Sequence, residues 1–177
     1  ILDATNTAES ELHKQLVDIN TLLSNSVELL RFKAAEKNQQ IVLNQLQSPE
    51  ELMISREKIW RVISNLISNA IKFSPVGAMI QVDVLKEDDD MLISVNDHGI
   101  GIPEENKNKV FNMFTDAKRP GTLGEKSFGL GLSICRQIIE RHNGSIWFES
   151  TPGSGTTFYV RLSKSNLLKA EPVHIDS

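Results

Sequence analysis

The chain has 177 residues, of which 40% are hydrophobic and 24% charged, enough apolar material for one folded domain with short flanks and too much for a disordered chain. Its 19 lysines and arginines against 23 acidic residues leave a net charge of −4, which argues against a nucleic-acid footprint built on bulk positive charge. Cys135 is the single cysteine, which excludes an internal disulfide and a cysteine-based zinc site, and the apolar runs are too short to predict a membrane span.

The chain begins Ile1-Leu2-Asp3 without Met or a signal-like segment, and reads as an excised fragment. Residues 1–15 are polar, with Ile1, Leu2 and Leu12 as the large apolar side chains, and read as a linker leaving another element. From Asn20, a candidate cap, Leu23, Val27, Leu30 and Ala34 recur at helical spacing up to Lys37-Asn38. Ile41-Val42-Leu43 then predicts a short strand, and Ser48-Pro49 breaks the chain. Ser55, with Glu57 in the first turn, predicts the start of a second helix. Ile59, Val62, Ile63, Leu66 and Ala70 form its apolar face, and Ser74-Pro75-Val76-Gly77 stops it. Ile80, Val82, Val84 and then Met91, Ile93, Val95 alternate with polar residues, predicting a hairpin over 78–97 with an acidic turn. A glycine loop follows at 98–102, and Pro103-Glu104 open a short helix. Residues 115–128 predict a long connection of the kind that serves as a lid. A third helix runs from Leu130 to Asn143-Gly144, two strands cover 145–150 and 156–162, and 165–177 read as a polar tail. Helices and antiparallel strands without strict alternation predict an α+β two-layer sandwich: a mixed, mostly antiparallel sheet covered on one face by helices.

Three groups of residues carry candidate chemistry. Asn65, Asn69 and Lys72 fall on a stripe about 60° wide on the second helix, extended by Lys58 and Arg61. Two carboxamide oxygens beside an ammonium suit a hydrated divalent cation bridging phosphates, although such a stripe also serves as the polar flank of an amphipathic helix. Asp97 continues the inward alternation of Ile93 and Val95. A carboxylate there needs a hydrogen-bond donor, which the exocyclic amine of a purine would provide; an ordinary Asp-Gly turn is the plainer alternative. Gly99 and Gly101 would let backbone approach a flat ring. Gly129-Leu130-Gly131-Leu132 opens a helix and could present amides to an anion, or simply join loop to helix. It lacks the third glycine of a dinucleotide fingerprint, and no Walker A or Gly-x-Ser-x-Gly sequence occurs. Cys135 reads as packing, and His142, before Asn143-Gly144, as a partner of the helix dipole.

Taken in order, these segments resemble sensor histidine kinases. Asn65-Leu66-Ile67-Ser68-Asn69-Ala70-Ile71-Lys72-Phe73-Ser74 is similar to the family's asparagine box, and Asp97-His98-Gly99-Ile100-Gly101-Ile102-Pro103 to its first glycine box. Val110-Phe111-Asn112-Met113-Phe114 resembles its phenylalanine box, Phe128 to Ile134 its second glycine box, and Gly153-Ser154-Gly155-Thr156-Thr157-Phe158 its last glycine–threonine stretch.

The resemblance implies a Bergerat-type fold that binds ATP and Mg2+. By position, Asn69 ligates magnesium with Asn65 in support, and Lys72 approaches phosphate; Asn69 and Lys72 are the catalytic candidates. Asp97 takes the adenine amine, directly and through water near Thr157. Gly99 and Gly101 flank the base, with Ile102 in the same loop, and Gly129, Leu130, Gly131 and Leu132 lie near the phosphates. Two departures stand out: Ser127 replaces a frequent glycine, and an arginine expected near Asp116 is absent, leaving Lys118, Arg119 or Lys126 to supply its charge.

His13 is followed by Lys14 and not by an acidic residue, so the acceptor histidine is implied to lie on a separate helical dimerisation domain. The resemblance therefore divides the chain into a linker (1–15), an ATP-binding catalytic domain (16–164) and a tail (165–177). It implies a homodimeric parent whose helical domain meets a response regulator, with no nucleic-acid or membrane contact from this segment. It also implies a cytoplasmic domain, compatible with a parent in a bacterial inner membrane. A nucleotide-binding regulatory module without transfer activity, or an ATPase of the same superfamily, are the alternatives. The phenylalanine box and the short lid favour the kinase.

Overall fold

The structure is a computed structural model that describes residues 12–112 and 130–164. Residues 1–11, Met113, Phe114, the connection 115–128 with Lys118, Arg119 and Lys126, Gly129 and the tail 165–177 lie outside the described residues.

The elements run β1 (Gln15–Asp18), α1 (Ile19–Ala35), β2 (Gln40–Asn44), β3 (Glu51–Ile54), α2 (Arg56–Phe73), β4 (Met79–Glu87), β5 (Asp90–Asp97), a 3-10 turn (Glu104–Lys109), α3 (Leu130–Arg141), β6 (Ser145–Thr151) and β7 (Gly155–Ser163). Five strands form one sheet in the order β2-β4-β5-β7-β6. Among the described residues, only β2 and β4 pair in parallel; the other pairs are antiparallel. The sheet is thus mixed and mostly antiparallel, with the helices on one face. The inward side chains of β4, β5 and β7 (Ile80, Val82, Val84; Met91, Ile93, Val95; Phe158, Val160, Leu162) are buried in one core with Ile59, Ile63, Leu66 and Ile67 of α2 and Ile138 and Ile139 of α3. Each such aliphatic side chain contributes about 1.5–3 kcal/mol through burial.

Several local expectations shift. α1 starts one residue before Asn20, capped by Asp18, whose Oδ1 accepts from Asn20 N at 3.1 Å and whose Oδ2 accepts from the Thr21 hydroxyl at 2.9 Å. Asn20 is already helical. Its carboxamide instead clamps Leu46, donating to its carbonyl and accepting from its amide at 2.9 Å each. The strands β1 and β3, unforeseen in the sequence, pair with each other as a separate two-stranded sheet. Each has four residues, too few for a period to show. The short helix expected after Pro103 is present as a 3-10 helix over Glu104–Lys109, with Pro103 at its N-cap in an extended conformation. Ser55 caps α2 as expected, accepting from Lys58 N.

Candidate functional site

The C-terminal half of α2 carries Asn65, Asn69 and Lys72, all half-buried. Among the described residues, none hydrogen-bonds the Asn69 carboxamide. Asn65 Nδ2 lies 3.6 Å from Cys135 Sγ on α3. The position a Cβ would take on Gly131 is 3.9 Å from the same nitrogen, so the first turn of α3 stands over Asn65. Leu132 packs against the core. Cys135 is fully buried, and burial pushes its thiol up to about 11, consistent with packing and not with nucleophilic attack. Lys58, placed on the same stripe, turns out to be buried, while Arg61 is half-buried and 3.9 Å from Glu57. Burial, then the nearby Arg141, lowers the pKa of Lys58.

The end of α2 is held by two side chains that sequence reasoning missed. Lys37 Nζ donates to the carbonyls of Ile71 at 2.9 Å and Lys72 at 3.2 Å. Gln39 Nε2 reaches Ile71 O, Ser74 O and Pro75 O at 3.1–3.2 Å. A cation and an amide thus satisfy the carbonyls that a helix leaves orphaned at its C-terminus, where the dipole favours positive charge. Lys72 Nζ lies 5.9 Å from the centre of the Phe73 ring.

The glycine loop docks on this same helix end, because Ile100 N donates to Phe73 O at 3.2 Å. Asp97 closes β5 at 6% exposure. Its Oδ1 accepts from Gly99 N at 2.9 Å and from Thr156 N at 3.2 Å, so two backbone donors fix the carboxylate's orientation. A Cβ on Gly99 would sit 2.1 Å from Phe73 O, and one on Gly101, whose φ is +71°, 2.3 Å from Thr151 O. Close approach by the protein's own carbonyls therefore requires glycine at both positions. The Ile102 side chain is buried and its N–H donates to Ser150 Oγ at 2.8 Å, while Ile100 is exposed.

Thr157 does not stand beside Asp97. In the β5–β7 register it pairs with Asn96, whose Nδ2 donates to its hydroxyl at 2.6 Å, on the opposite face of the sheet. Strand alternation gives Asp97's face to Thr156, which is buried and shares a 2.8 Å hydroxyl–hydroxyl hydrogen bond with Ser150. Counting parity along Gly155–Phe158 against the buried Phe158 would have found it.

Phe111 lies just beyond the short 3-10 helix Glu104–Lys109 and is packed against the core. It packs on Phe148 and Phe158 at ring distances of 5.8 and 6.3 Å, with the Arg136 guanidinium of α3 5.8 Å from its centre. At the far end of α3, His142 is buried and joined to backbone through both ring nitrogens. Its Nδ1 lies 2.8 Å from Ile138 O in the last turn of α3, the helix-end partner expected from sequence, and burial lowers its pKa.

Residues 54–166 match the family described as histidine kinase-, DNA gyrase B-, and HSP90-like ATPase. The sensor histidine kinase WalK of Bacillus subtilis is 40% identical over 111 residues, covering 62% of this chain and 18% of that protein. The adaptive-response sensory kinase SasA of Crocosphaera subtropica is 35% identical over 156 residues, covering 88% and 40%. The chain thus spans less than half the length of either relative. Among solved structures, the nucleotide-free catalytic domain of histidine kinase ThkA superposes with a TM-score of 0.75 at 30% identity, covering 86% of this chain and 96% of that one. ThkA has also been solved in complex with the response regulator TrrA, with a TM-score of 0.71 to this chain at 28% identity, covering 86% of this chain and 42% of that one.

Proposed function

The chain belongs to the histidine kinase-, DNA gyrase B- and HSP90-like ATPase family, as the ATP-binding catalytic domain of a sensor histidine kinase, and on that basis we propose that it presents magnesium-ATP for γ-phosphoryl transfer to a histidine on a separate helical domain. The observation that carries this reading is Asp97. It is a buried carboxylate oriented by two backbone amides at the end of β5, and the glycine loop that follows it rests on the end of the helix bearing Asn69 and Lys72. A carboxylate only accepts hydrogen bonds. It complements the exocyclic amine of adenine and opposes the carbonyl oxygen of guanine.

In this reading Asn69 and Asn65 offer hard carboxamide oxygens to magnesium, and the Asn69 carboxamide, which no described residue hydrogen-bonds, fits that role. The cation, when bound, neutralises phosphate charge. Lys72 adds a positive charge toward phosphate, and the first amides of α3, at Leu130 and Gly131, face the same anion. Thr156, in place of Thr157, supports the adenine end beside Asp97. The domain's contribution is orientation and electrostatics, as in phosphoryl transfer generally. Residues 1–15 would lead to the acceptor domain, 16–164 form the catalytic unit and 165–177 the tail. The acceptor domain would pair the parent into a homodimer and meet the response regulator on the cytoplasmic side.

Calorimetry with magnesium-ATP and magnesium-GTP tests the pocket. Adenine nucleotide should bind at least about tenfold more tightly, since an opposed buried acceptor costs about 1–3 kcal/mol. Asp97→Ala should remove that preference; equal affinities in the wild type would refute it. Labelled ATP should leave the chain alone unlabelled and give acid-labile label on the parent's helical domain added as a separate chain. Tight binding without such label would leave a regulatory module.

A further inference from the structure

α2 and α3 run antiparallel against each other and are tied at two places. Near the start of α3, Asn65 meets Cys135 and Gly131. At its end, His142 meets the residue that caps α2. The imidazole is 5% exposed. Its Nε2 accepts the Ser55 backbone N–H at 3.0 Å, and its Nδ1 lies 2.8 Å from Ile138 O. A backbone amide can only donate, so Nε2 carries no proton and Nδ1–H donates to the carbonyl. One ring therefore holds the last turn of α3 and the N-cap of α2 together.

We infer that His142 is a positioning residue: its neutral imidazole sets the axial register of α3 on α2, and thereby the place of the Leu130–Gly131 amides relative to Asn65. Protonating Nε2 sets donor against donor at Ser55 and releases that register. The charged groups that act on the ring are Lys14 ahead of β1, Lys58 on α2 and Arg141 on α3, all cations. With burial they oppose the protonated form, so the latch holds through neutral pH and opens on acidification below the ordinary imidazole value of 6.5. The consequence for ligand affinity rests on the nucleotide-site reading above; the latch itself does not.

The test uses the full chain. Magnesium-ADP affinity is measured by calorimetry from pH 8 to pH 5.5, with circular dichroism scoring the folded fraction at each step. The comparison is His142→Gln, whose carboxamide oxygen accepts from an amide but does not titrate. Titration of the nucleotide itself acts on both proteins and cancels in their ratio. That ratio should be within about threefold at pH 8. It should fall about five- to tenfold against the wild type as the pH drops, the effect of losing one buried hydrogen bond. In the nucleotide-free chain, the amide resonances of Ser55 and Gly131 should shift with the same midpoint as the His142 ring. A pH-independent affinity ratio, or a Gly131 amide that ignores the His142 titration, overturns the inference. If neither protein binds nucleotide at pH 8, the nucleotide-site reading fails, and the Ser55–Gly131 titration still decides the latch.

Discussion

Replacing Gly99 by Ala separates two roles that sequence alone cannot distinguish. The added Cβ would lie 2.1 Å from Phe73 O, 2.8 Å from Phe73 C and 3.0 Å from Asp97 Oδ1. A carbon approaches a carbonyl oxygen comfortably at about 3.3 Å, so the loop must withdraw from α2 by roughly 1 Å. That withdrawal breaks the 3.2 Å bond from Ile100 N to Phe73 O and turns the carboxylate held by Gly99 N. Overpacking costs about 1–3 kcal/mol and the lost hydrogen bond about 0.5–1.5, or about 1.5–4.5 kcal/mol together. In a chain of this length each kcal/mol moves the melting temperature by about 2–4 °C, so calorimetric melting without nucleotide should fall by roughly 3–18 °C. Gly77→Ala is the control: its φ of +83° is strained, but nothing lies within 4 Å of its Cβ, and only a left-handed penalty of about 1–2 kcal/mol applies. If Gly99 served only to admit a flat ring, Gly99→Ala would melt like the wild type and lose affinity alone. A nucleotide-free melting temperature within about 2 °C of wild type would refute the packing account.

Lys37→Met removes the charged cap from the end of α2 and should destabilise the chain by about 1–3 kcal/mol in urea unfolding; an unchanged midpoint would show that Gln39 suffices. Asn69→Ala should leave the unfolding midpoint within about 0.5 kcal/mol of wild type while removing the magnesium dependence of ATP affinity, checked by titration with and without the metal. Stability should also follow His142. Its folded-state pKa lies below 6.5, so the unfolded chain takes the proton first. The stabilisation is complete above that value and is lost as the pH falls from there toward the folded-state pKa. Melting at pH 7.5 and pH 5.5 should show a larger loss for wild type than for His142→Gln, and equal losses would count against the assignment.

What the sequence determined by itself was local. Ser55 announces α2 because a capping hydroxyl acts within three residues. The stripe of Asn65, Asn69 and Lys72 is legible because helical geometry repeats over a few turns. The inward alternation that ends on Asp97 is legible for the same reason in β5. The family's segments are legible because each is a short contiguous string. Only the tertiary structure decided which groups meet across the chain. The β1–β3 pairing, the parallel placement of β2 at the sheet edge, Lys37 on the Ile71 carbonyl and His142 on the Ser55 amide join residues far apart in sequence. Nothing periodic marks such partners in advance. Thr156 and Thr157 show the limit most sharply: adjacent and chemically identical, they are separated only by strand parity, and a one-residue difference sends a side chain to the opposite face of the sheet.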